Sequence, residues 1–243
     1  MKRRYALISD IHSNLEALEV VLVAIEQEKV DFILCLGDLV GYGANPNECI
    51  SQIKERTDYI IAGNHDYASV GLTSITNFNP LAAKAALWTE QVLNPLHKLF
   101  LRQLPLVMKV DDLLLVHATP SKPEAWEYIF SLKDASKEFK FFREKICFVG
   151  HSHQPFIVVE NAGEHRIHQG WQITLEPPNR YLINIGSIGQ PRDGNPKAAY
   201  AIYDQHTKTI EIKRIAYNIQ EAQRKIREVQ LPAFLADRLA TGE

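Results

Sequence analysis

The sequence predicts an α/β fold (α+β in some schemes) with two β-sheets in a single domain, residues 1–243. Apolar runs of four to six residues recur along the chain, as in strands that are buried on both faces. The chain opens with a strand, a helix and a strand, which implies a parallel pair joined by a right-handed crossover. A hairpin in the later part implies antiparallel pairing. No repeat, low-complexity segment or linker divides the sequence, which favours one domain.

Eight apolar runs are the predicted strands, and most of them end in a polar or glycine-bearing cluster. They are Tyr5–Ile8, Phe32–Leu36, Tyr59–Ala62, Leu113–Val116, Ile146–Val149, Phe156–Val159, Tyr181–Ile185 and Ala199–Tyr203. The turn Thr207–Thr209 then joins the last of them to Ile210–Ile215, so the later part of the sheet should be antiparallel.

Capping residues and apolar spacing predict the helices. Ser13 supplies an N-cap hydroxyl and Glu16 follows three positions on, before apolar residues recur at helical spacing. Pro46–Lys54 is a second helix, and a longer one runs from Leu81 to about Leu104, where a proline stops it. The segment 218–243 is helical and highly charged, and we expect it to lie on the surface.

The composition excludes several classes of protein. Lys and Arg number 27 against 29 Asp and Glu, a net charge of −2, which argues against a protein held to nucleic acid or a membrane surface by bulk charge. Apolar residues make up 46% and charged residues 23%, both usual for a globular chain. A chain of this length can bury roughly 70–75% of its unfolded surface, so it needs no disulfide or structural metal. Any metal ion that the protein binds would therefore take part in its reaction rather than stabilise its fold.

The cysteines and the apolar segments favour a cytoplasmic location. Cys35, Cys49 and Cys147 lack the close-paired spacing of a disulfide framework or a cysteine zinc site. The first apolar run is too short for an export signal, and no apolar stretch approaches the ~18–20 residues of a membrane span. We therefore expect neither secretion nor a membrane partner.

Polar clusters follow five of the predicted strands, at the point where each strand ends. They are Asp10 and His12, Gly37-Asp38, Gly63-Asn64-His65-Asp66, His117, and Gly150-His151-Ser152-His153. Because the carboxyl ends of strands in open α/β sheets face the ligand crevice, we expect these clusters to converge.

The clusters have the chemistry of a metal site with two ions. They hold five of the nine histidines, beside carboxylates and an asparagine. Any one of these histidines alone is better explained as a satisfied polar residue on a loop, but that explanation is weaker for the set. Imidazole and carboxylate ligands without thiolate suit divalent Mn, Fe, Zn, Ni or Co, and the groups are too many for one tetrahedral ion.

These five blocks, in this order, closely resemble the signature of the calcineurin-like metallophosphoesterase superfamily. A later loop, Gly186-Ser187-Ile188-Gly189-Gln190-Pro191-Arg192, is similar to one found in its small bacterial and archaeal branch. The resemblance spans most of the chain. It implies two mixed β-sheets packed face to face as a sandwich and flanked by helices, the metallo-dependent phosphatase fold.

Carried over position by position, the family pattern implies two metal sites that share one ligand. Asp10, His12 and His153 would bind one ion, Asn64, His117 and His151 the other, and Asp38 would bridge them. A carboxylate suits the bridging position because its two oxygens can each face a cation. Two ions ~3.5–4 Å apart can then hold a shared hydroxide and bind phosphate oxygens.

The sequence departs from the family pattern in the residues that would surround His65, the one histidine of the five blocks that is not a predicted ligand. By resemblance, His65 is not a ligand and either protonates the leaving oxygen or stabilises charge on the phosphate. Many relatives carry an acidic residue where this chain has Gly41, so the acid that would orient His65 is missing. Many also carry an Asp-Arg-Gly sequence in the segment after the bridging aspartate, so the arginine that would bind phosphate is missing as well. Asp66 can replace the first. Arg192 can replace the second through its planar fork, and the alternative for Arg192 is an ion pair with Asp193.

The resemblance implies a phosphoesterase in which a metal-bound hydroxide attacks phosphorus in line. Asp38 and His65 are the predicted catalytic residues, and Asn64, His65 and Arg192 the predicted substrate-binding residues. We expect a phosphomonoesterase acting on a phosphorylated small molecule or a phosphoprotein. A phosphodiesterase or dinucleoside polyphosphate hydrolase is the alternative, since the ligands are common to all of these. A non-catalytic metal-binding interaction module is the alternative of another class, and the complete ligand set argues against it.

Overall fold

The computed structural model describes residues 2–243 and contains two mixed β-sheets, which confirms the predicted fold class. The strands are β1 (Arg4–Ile8), β2 (Phe32–Cys35), β3 (Val107–Val110), β4 (Leu113–Val116), β5 (Ile146–Val149), β6 (Phe156–Asn161), β7 (Glu164–Ile167), β8 (Gln172–Thr174), β9 (Arg180–Asn184), β10 (Ala198–Asp204) and β11 (Thr209–Ile215). The first sheet has the order β2-β1-β10-β11-β8 and the second β3-β4-β5-β9-β6-β7. Parallel pairs are β1 with β2, β4 with β5, and β5 with β9; the remaining pairs are antiparallel.

Helices cover the outer faces of the two sheets. They are α1 (Leu15–Gln27), α2 (Pro46–Lys54), α3 (Asn64–Ala68), α4 (Pro80–Val92), α5 (Pro95–Gln103), α6 (Leu132–Glu138), α7 (Ile219–Glu228) and α8 (Ala233–Asp237), with short 3-10 turns at Pro123–Ala125 and Arg238–Ala240. Within residues 2–243, no helix is both long and apolar enough to cross a membrane.

The alternation of side chains along each strand builds the layers of the sandwich. Tyr5 and Leu7 of β1 point between the two sheets, where they share an apolar cluster with Phe148 of β5. Ala6 and Ile8 point the other way, into the helical layer. Each large apolar side chain buried in these layers contributes roughly 1.5–3 kcal/mol relative to exposure. The strands therefore read as continuous apolar runs because both of their faces are covered.

The run Tyr59–Ala62 does not form the predicted strand. It makes a single parallel bridge, between Cys35 and Ile60. The amide of Ala62 then donates to the carbonyl of Pro105 at 2.8 Å instead of continuing along β2. The prediction was wrong because the chain turns away from the sheet after one bridge.

The long helix predicted from Leu81 to about Leu104 is two helices, α4 and α5. The side chain of Asn94 caps α5 by accepting from the amide of His97 at 2.8 Å, and Pro95 occupies the first turn. Proline cannot continue a preceding helix, because it lacks the amide hydrogen and restricts the residue before it. The break therefore has a local cause in the sequence.

The N-cap of α1 is also one residue later than predicted. The side-chain oxygen of Asn14, not that of Ser13, accepts from the amide of Ala17, at 3.1 Å. Ser13 has a positive φ of 54° and belongs to the preceding loop.

The segment 218–243 is helical, as predicted, but it does not lie only on the surface. Ala222 and Ile226 of α7 are buried in the apolar cluster that also contains the buried face of α1. Lys225 forms an ion pair with Glu16 of α1. The expectation of a surface segment is therefore corrected: charged residues such as Arg224 and Arg227 face solvent, and an apolar stripe holds the segment to the helical layer of the first sheet.

The fold places four loops at one edge of the sandwich. The parallel pair β1 and β2 and the parallel pair β4 and β5 end there. The loops that follow them carry Asp10, Asp38, His117 and His151, all of which are buried. The convergence expected from the strand ends is therefore present in the structure.

Candidate metal centre

The structure brings all seven predicted metal ligands together at this edge. They are Asp10, His12, Asp38, Asn64, His117, His151 and His153, and none is more than 6% exposed. Buried charged and polar side chains are costly unless they are paired or bind a ligand. The cluster is therefore a candidate site rather than a set of solvated loop residues.

Most of these residues have a backbone conformation that non-glycine residues rarely adopt. Positive φ angles occur at Asp10 (53°), His12 (50°), Asp38 (53°), His151 (65°) and His153 (59°). Such conformations cost roughly 1–3 kcal/mol each and persist where the surrounding structure fixes them. Backbone bonds from Asp10 to Gly37 and from His12 to Asp38, both 3.0 Å, hold the first two loops against each other. The strain turns successive side chains inward across the end of each strand.

Four of the histidines are oriented by backbone carbonyls. One ring nitrogen of each lies within hydrogen-bond distance of a carbonyl oxygen: His12 Nδ1 with Val40 at 3.0 Å, His117 Nδ1 with Leu36 at 2.7 Å, His151 Nε2 with Trp126 at 2.8 Å, and His153 Nδ1 with Gln190 at 2.6 Å. A nitrogen that donates to a carbonyl leaves the lone pair on the opposite nitrogen, which here faces the cluster. This is the tautomer that metal ligation requires.

The ligand atoms form two groups that meet at Asp38. In the first group, Asp10 Oδ1 lies 3.2 Å from His153 Nε2 and 3.7 Å from His12 Nε2. Asp38 Oδ2 lies 3.6 Å from His12 Nε2 and 3.3 Å from His117 Nε2, so it faces both groups. The other oxygen of Asp38 accepts from the amide of His65 at 2.8 Å. A single oxygen of Asp38 therefore lies between the two groups, whereas the sequence reasoning had both oxygens facing cations.

Several buried atoms in the cluster have no partner within the protein. Asn64 Oδ1 and His117 Nε2 are buried without a hydrogen bond among the described residues. His12 Nε2 and His153 Nε2 face each other at 3.0 Å. Three groups of side chains bring ligand atoms within 4.8 Å of one another, and two of them, Asp10-His12-His153 and Asp38-His117-His151, are subsets of the predicted metal sites. Unpartnered nitrogen and oxygen donors aimed at common points fit divalent cations.

Burial and neighbouring charges set the protonation states. Burial, and next the charge of His117, lower the pKa of His151 to about 3. Burial by itself would lower the pKa of His117, but the charge of Asp38, whose Oδ2 lies 3.3 Å from His117 Nε2, raises that pKa to about 9. Burial alone would raise the pKa of Asp10 and Asp38, yet the surrounding histidines hold both below the ordinary value. Both carboxylates are therefore ionised and available as ligands.

His65 lies beside the predicted ligands, and with His12 and Asp38 it forms the third of the groups described above, which is not one of the two predicted metal sites. It is 4% exposed, and its ring contacts those of Tyr42 and His12, with centroids 4.4 and 5.0 Å away. Its Nδ1 is buried without a hydrogen-bond partner among residues 2–243, and it faces Gly41, where an added Cβ would lie 2.6 Å from that nitrogen. Burial lowers the pKa of His65 to about 4, so the ring is neutral near pH 7. Ring packing against a glycine, not an acid, orients it.

Asp66 does not replace the missing acidic partner. Its Oδ1 accepts from the amides of Leu39 and Val40 at 2.9 and 3.2 Å, and its Oδ2 accepts from the amide of Gly63 at 3.0 Å. The hypothesis that Asp66 orients His65 is therefore wrong. Asp66 instead fixes the loop that follows Asp38.

Arg192 reaches the cluster from the Gly186–Arg192 loop. Its Nε and Nη2 donate to Gln190 Oε1 at 3.2 and 2.8 Å, and its guanidinium carbon lies 5.5 Å from the ring centroid of Tyr42. After burial, the charge of Arg192 is the largest cause that lowers the pKa of His153. The alternative ion pair with Asp193 is absent, since Asp193 binds Arg214. Arg192 thus keeps its charge beside the site.

A cleft of about 750 Å³ opens next to the cluster and contains residues that the sequence reasoning missed. Its aromatic lining includes Phe78, Trp126 and Tyr128. The ring of Tyr128 stacks on His151 with centroids 4.0 Å apart, and the indole of Trp126 donates to Thr73 Oγ1 at 3.1 Å, joining the two walls. The available signal was the aromatic run Trp126–Phe130 in the loop after His117, because loops at strand ends carry binding residues.

A family model matches most of the chain. Residues 4–208 match the calcineurin-like phosphoesterase superfamily domain. An uncharacterised protein of Methanocaldococcus jannaschii, MJ0912, is 45% identical over 246 residues, which cover 100% of this chain and 99% of that protein.

Solved structures agree with this match. The crystal structure of a metallophosphoesterase from Sphaerobacter thermophilus is 37% identical to this chain, with 100% of both chains covered and a TM-score of 0.88. Hypothetical protein PH1004 from Pyrococcus horikoshii OT3 is 19% identical, with 99% of this chain and 98% of that chain covered and a TM-score of 0.80. At that identity the second likeness concerns the fold alone.

Proposed function

We propose a specific reaction for this chain, which belongs to the calcineurin-like phosphoesterase superfamily and is a metal-dependent hydrolase of phosphate esters. The reaction is the hydrolysis of a small-molecule phosphomonoester at a pair of divalent ions. The observation that carries the proposal is a buried cluster of seven nitrogen and oxygen ligands beside an aromatic cleft. The cluster suits a phosphoryl group, and the cleft suits its leaving group.

The two predicted ion sites follow the two groups of ligands. Asp10, His12 and His153 would hold one ion, Asn64, His117 and His151 the other, and Asp38, whose Oδ2 faces both groups, would be shared between them. The donor set favours Mn, Fe, Zn or Ni. When bound, two such ions activate a water molecule and neutralise charge on the phosphoryl oxygens.

The remaining residues bind and orient the substrate. His65 lines the cleft and, as a neutral ring, would donate a hydrogen bond to a phosphoryl or leaving oxygen. Arg192 provides a substrate-binding cation at the cleft rim, beside Tyr42. Phe78 and Tyr128 offer apolar ring faces to the leaving group.

A comparison of a monoester with a diester tests the proposal. A monoester dianion gains more than a diester monoanion from the extra charge of Arg192. With manganese, zinc, iron or nickel added in turn, we expect p-nitrophenyl phosphate to be hydrolysed with a higher kcat/KM than bis(p-nitrophenyl) phosphate. A faster diester would favour a phosphodiesterase, the alternative function. No hydrolysis of either substrate with any ion would contradict the proposal and favour a non-catalytic binding module.

The proposal also covers the organisation and location of the chain. Residues 1–243 would act as one domain, because an apolar cluster joins the two sheets and the C-terminal helices pack with α1. A cytoplasmic location fits the free, buried thiols of Cys35, Cys49 and Cys147.

A further inference from the structure

Two arginines from distant parts of the chain meet at one buried amide oxygen. Gln190 is 1% exposed, and its Oε1 accepts from Arg192 Nε and Nη2 at 3.2 and 2.8 Å. It also accepts from Nη1 of Arg238 at 3.1 Å. Arg238 follows α8, so the C-terminal segment contributes a cation to this edge of the sandwich.

The charge of Glu243 acts on Arg238 alone of these two guanidinium groups. Among residues 2–243, neither Arg192 nor Arg238 lies within 4.0 Å of a carboxylate side chain. The nearest acid in sequence, Asp193, binds Arg214, and Nε of Arg238 donates to the main-chain oxygen of Glu243. Burial, and next the charge of Arg192, lower the pKa of Arg238 to about 10. The charge of Glu243 offsets only part of the repulsion between the two arginines, and two like charges held together favour the binding of an anion.

Both arginines also keep hydrogen-bond donors free. Nη1 of Arg192 and Nη2 of Arg238 donate to no acceptor in the part of the chain that the structure describes, and both residues are partly exposed. A guanidinium presents its donors in a planar fork that matches two oxygens of a phosphoryl group. The free donors are therefore accessible to an oxyanion from solvent.

The arginine pair lies directly beside the candidate metal centre. The guanidinium of Arg192 is 5.5 Å from the ring of Tyr42, which is in turn 4.7 Å from the ring of His12. The main-chain oxygen of Gln190 is 2.6 Å from His153 Nδ1. One residue, Gln190, thus orients a metal ligand with its backbone and holds both arginines with its side chain.

We propose that Arg192 and Arg238 form an anion-binding subsite for a second phosphoryl group of the substrate, next to the group that is hydrolysed. The inference rests on the proposed function and narrows it to small molecules that carry two phosphoryl groups. Arg238 lies outside the residues 4–208 that match the family model, so the match does not cover this part of the subsite. The same subsite chemistry would also bind free inorganic phosphate.

The first experiment counts bound phosphate. Equilibrium dialysis of radiolabelled inorganic phosphate against the metal-loaded full chain should give about two phosphates per chain, one at the ions and one at the arginines. Arg238→Ala should reduce the count to about one. Arg227→Ala is the matched control, because Arg227 belongs to the same segment and carries the same charge but pairs with Asp237. Equal counts in all three proteins would overturn the subsite.

The second experiment separates a substrate phosphoryl group from a free phosphate ion. Inhibition of p-nitrophenyl phosphate hydrolysis is measured with phosphate, pyrophosphate and tripolyphosphate in excess manganese. For a substrate subsite, a linked anion should inhibit competitively and at least about tenfold more tightly than phosphate, and Arg238→Ala should remove that advantage. Phosphate that binds together with the substrate, with no advantage for linked anions, would assign the subsite to the free ion and overturn the substrate proposal.

Two further measurements distinguish the proposed subsite from a purely structural role of Arg238. If Arg238 only anchors the C-terminal segment, Arg238→Ala lowers Tm while the phosphate count and the inhibitor ratio stay unchanged, which overturns the proposal. Arg238→Lys keeps the charge but loses the fork, so we expect an intermediate inhibitor ratio. A wild-type chain that shows no hydrolysis but loses one bound phosphate on Arg238→Ala would refute the proposed reaction and leave the anion subsite standing.

Discussion

Two aspartates with the same backbone conformation lie at opposite edges of the sandwich. Asp38, after β2, and Asp111, in the turn between β3 and β4, both have a φ of 53°. Asp38 is buried, and its Oδ2 faces the nitrogens of His12 and His117. The side chain of Asp111 is 39% exposed and accepts hydrogen bonds from Arg3. The same positive φ thus occurs in a buried cluster of candidate ligands and in a partly exposed turn.

The edge at Asp38 contributes to function, and the edge at Asp111 contributes to stability. At the edge of Asp38, buried atoms of Asn64 and His117 have no hydrogen-bond partner among residues 2–243, an arrangement that destabilises a fold unless a ligand satisfies it. At the edge of Asp111, Arg3 ahead of β1 binds the turn of the second sheet, so the contact simply joins the two sheets. Equivalent substitutions at the two edges should therefore have very different consequences.

The largest effect is expected for Asp38→Asn, because both of the proposed ions would depend on this carboxylate. We expect kcat/KM on p-nitrophenyl phosphate to fall at least about 10³-fold, with a loss of bound metal. Asp111→Asn is the control, since asparagine tolerates the same φ, and it should change kcat/KM less than about twofold. Equal metal content and rate in the two variants would remove the distinction between the edges.

The next effect concerns His65, a neutral ring that lies beside the candidate metal ligands. We expect His65→Gln to keep the metal content and to lower kcat by roughly 10–10³-fold, by similar factors for p-nitrophenyl and alkyl phosphates. His97→Gln, at a buried histidine in α5, is the control and should leave kcat unchanged. A loss confined to the alkyl phosphate would show that His65 protonates the leaving oxygen instead.

A smaller effect is expected for Arg192. Arg192→Ala should lower kcat/KM by roughly tenfold and weaken inhibition by phosphate, and Arg192→Lys should do so less. Metal content should stay constant, because arginine is no ligand. Arg214→Ala is the control, because it removes an arginine that pairs with Asp193, the residue after Arg192. If kcat/KM and phosphate inhibition are unmoved in Arg192→Ala, the arginine is structural.

The smallest effect concerns stability away from the metal centre. Burial, and next the charge of Lys54, lower the pKa of His97 below its ordinary value. As pH falls through about 6.5, the unfolded chain takes up a proton before the folded chain does, so the free energy of unfolding decreases. We expect Tm to fall less steeply between about pH 7.5 and 5 in His97→Gln than in the wild type. Identical slopes would show that His97 does not contribute.

The fold and the convergence of the candidate metal ligands could be predicted from the sequence because both depend on local patterns. Each ligand follows an apolar strand, as Asp10 follows Tyr5–Ile8, and the parallel arrangement of those strands brings their ends together. The break at Pro95 was missed, although its cause is local, since proline ends a preceding helix. The run Tyr59–Ala62 was not, because its apolar residues suit a strand and a buried loop equally.

The parts of the site that depend on distant contacts could not be read in this way. Arg238 reaches Gln190 only because an apolar stripe turns the C-terminal segment back onto the helical layer. The orientation of His65 depends on the absence of a side chain at Gly41 and on the ring of Tyr42. These relations are set by packing, for which the sequence offers no spacing rule.

The most direct test of the account is the stoichiometry of the metal centre. The protein is stripped with a chelator, manganese is added back in steps, and bound manganese per chain is measured together with p-nitrophenyl phosphate hydrolysis. The account predicts no activity in the stripped protein and a plateau at about two ions per chain. Full activity after chelation, or a plateau at one ion per chain, would contradict it.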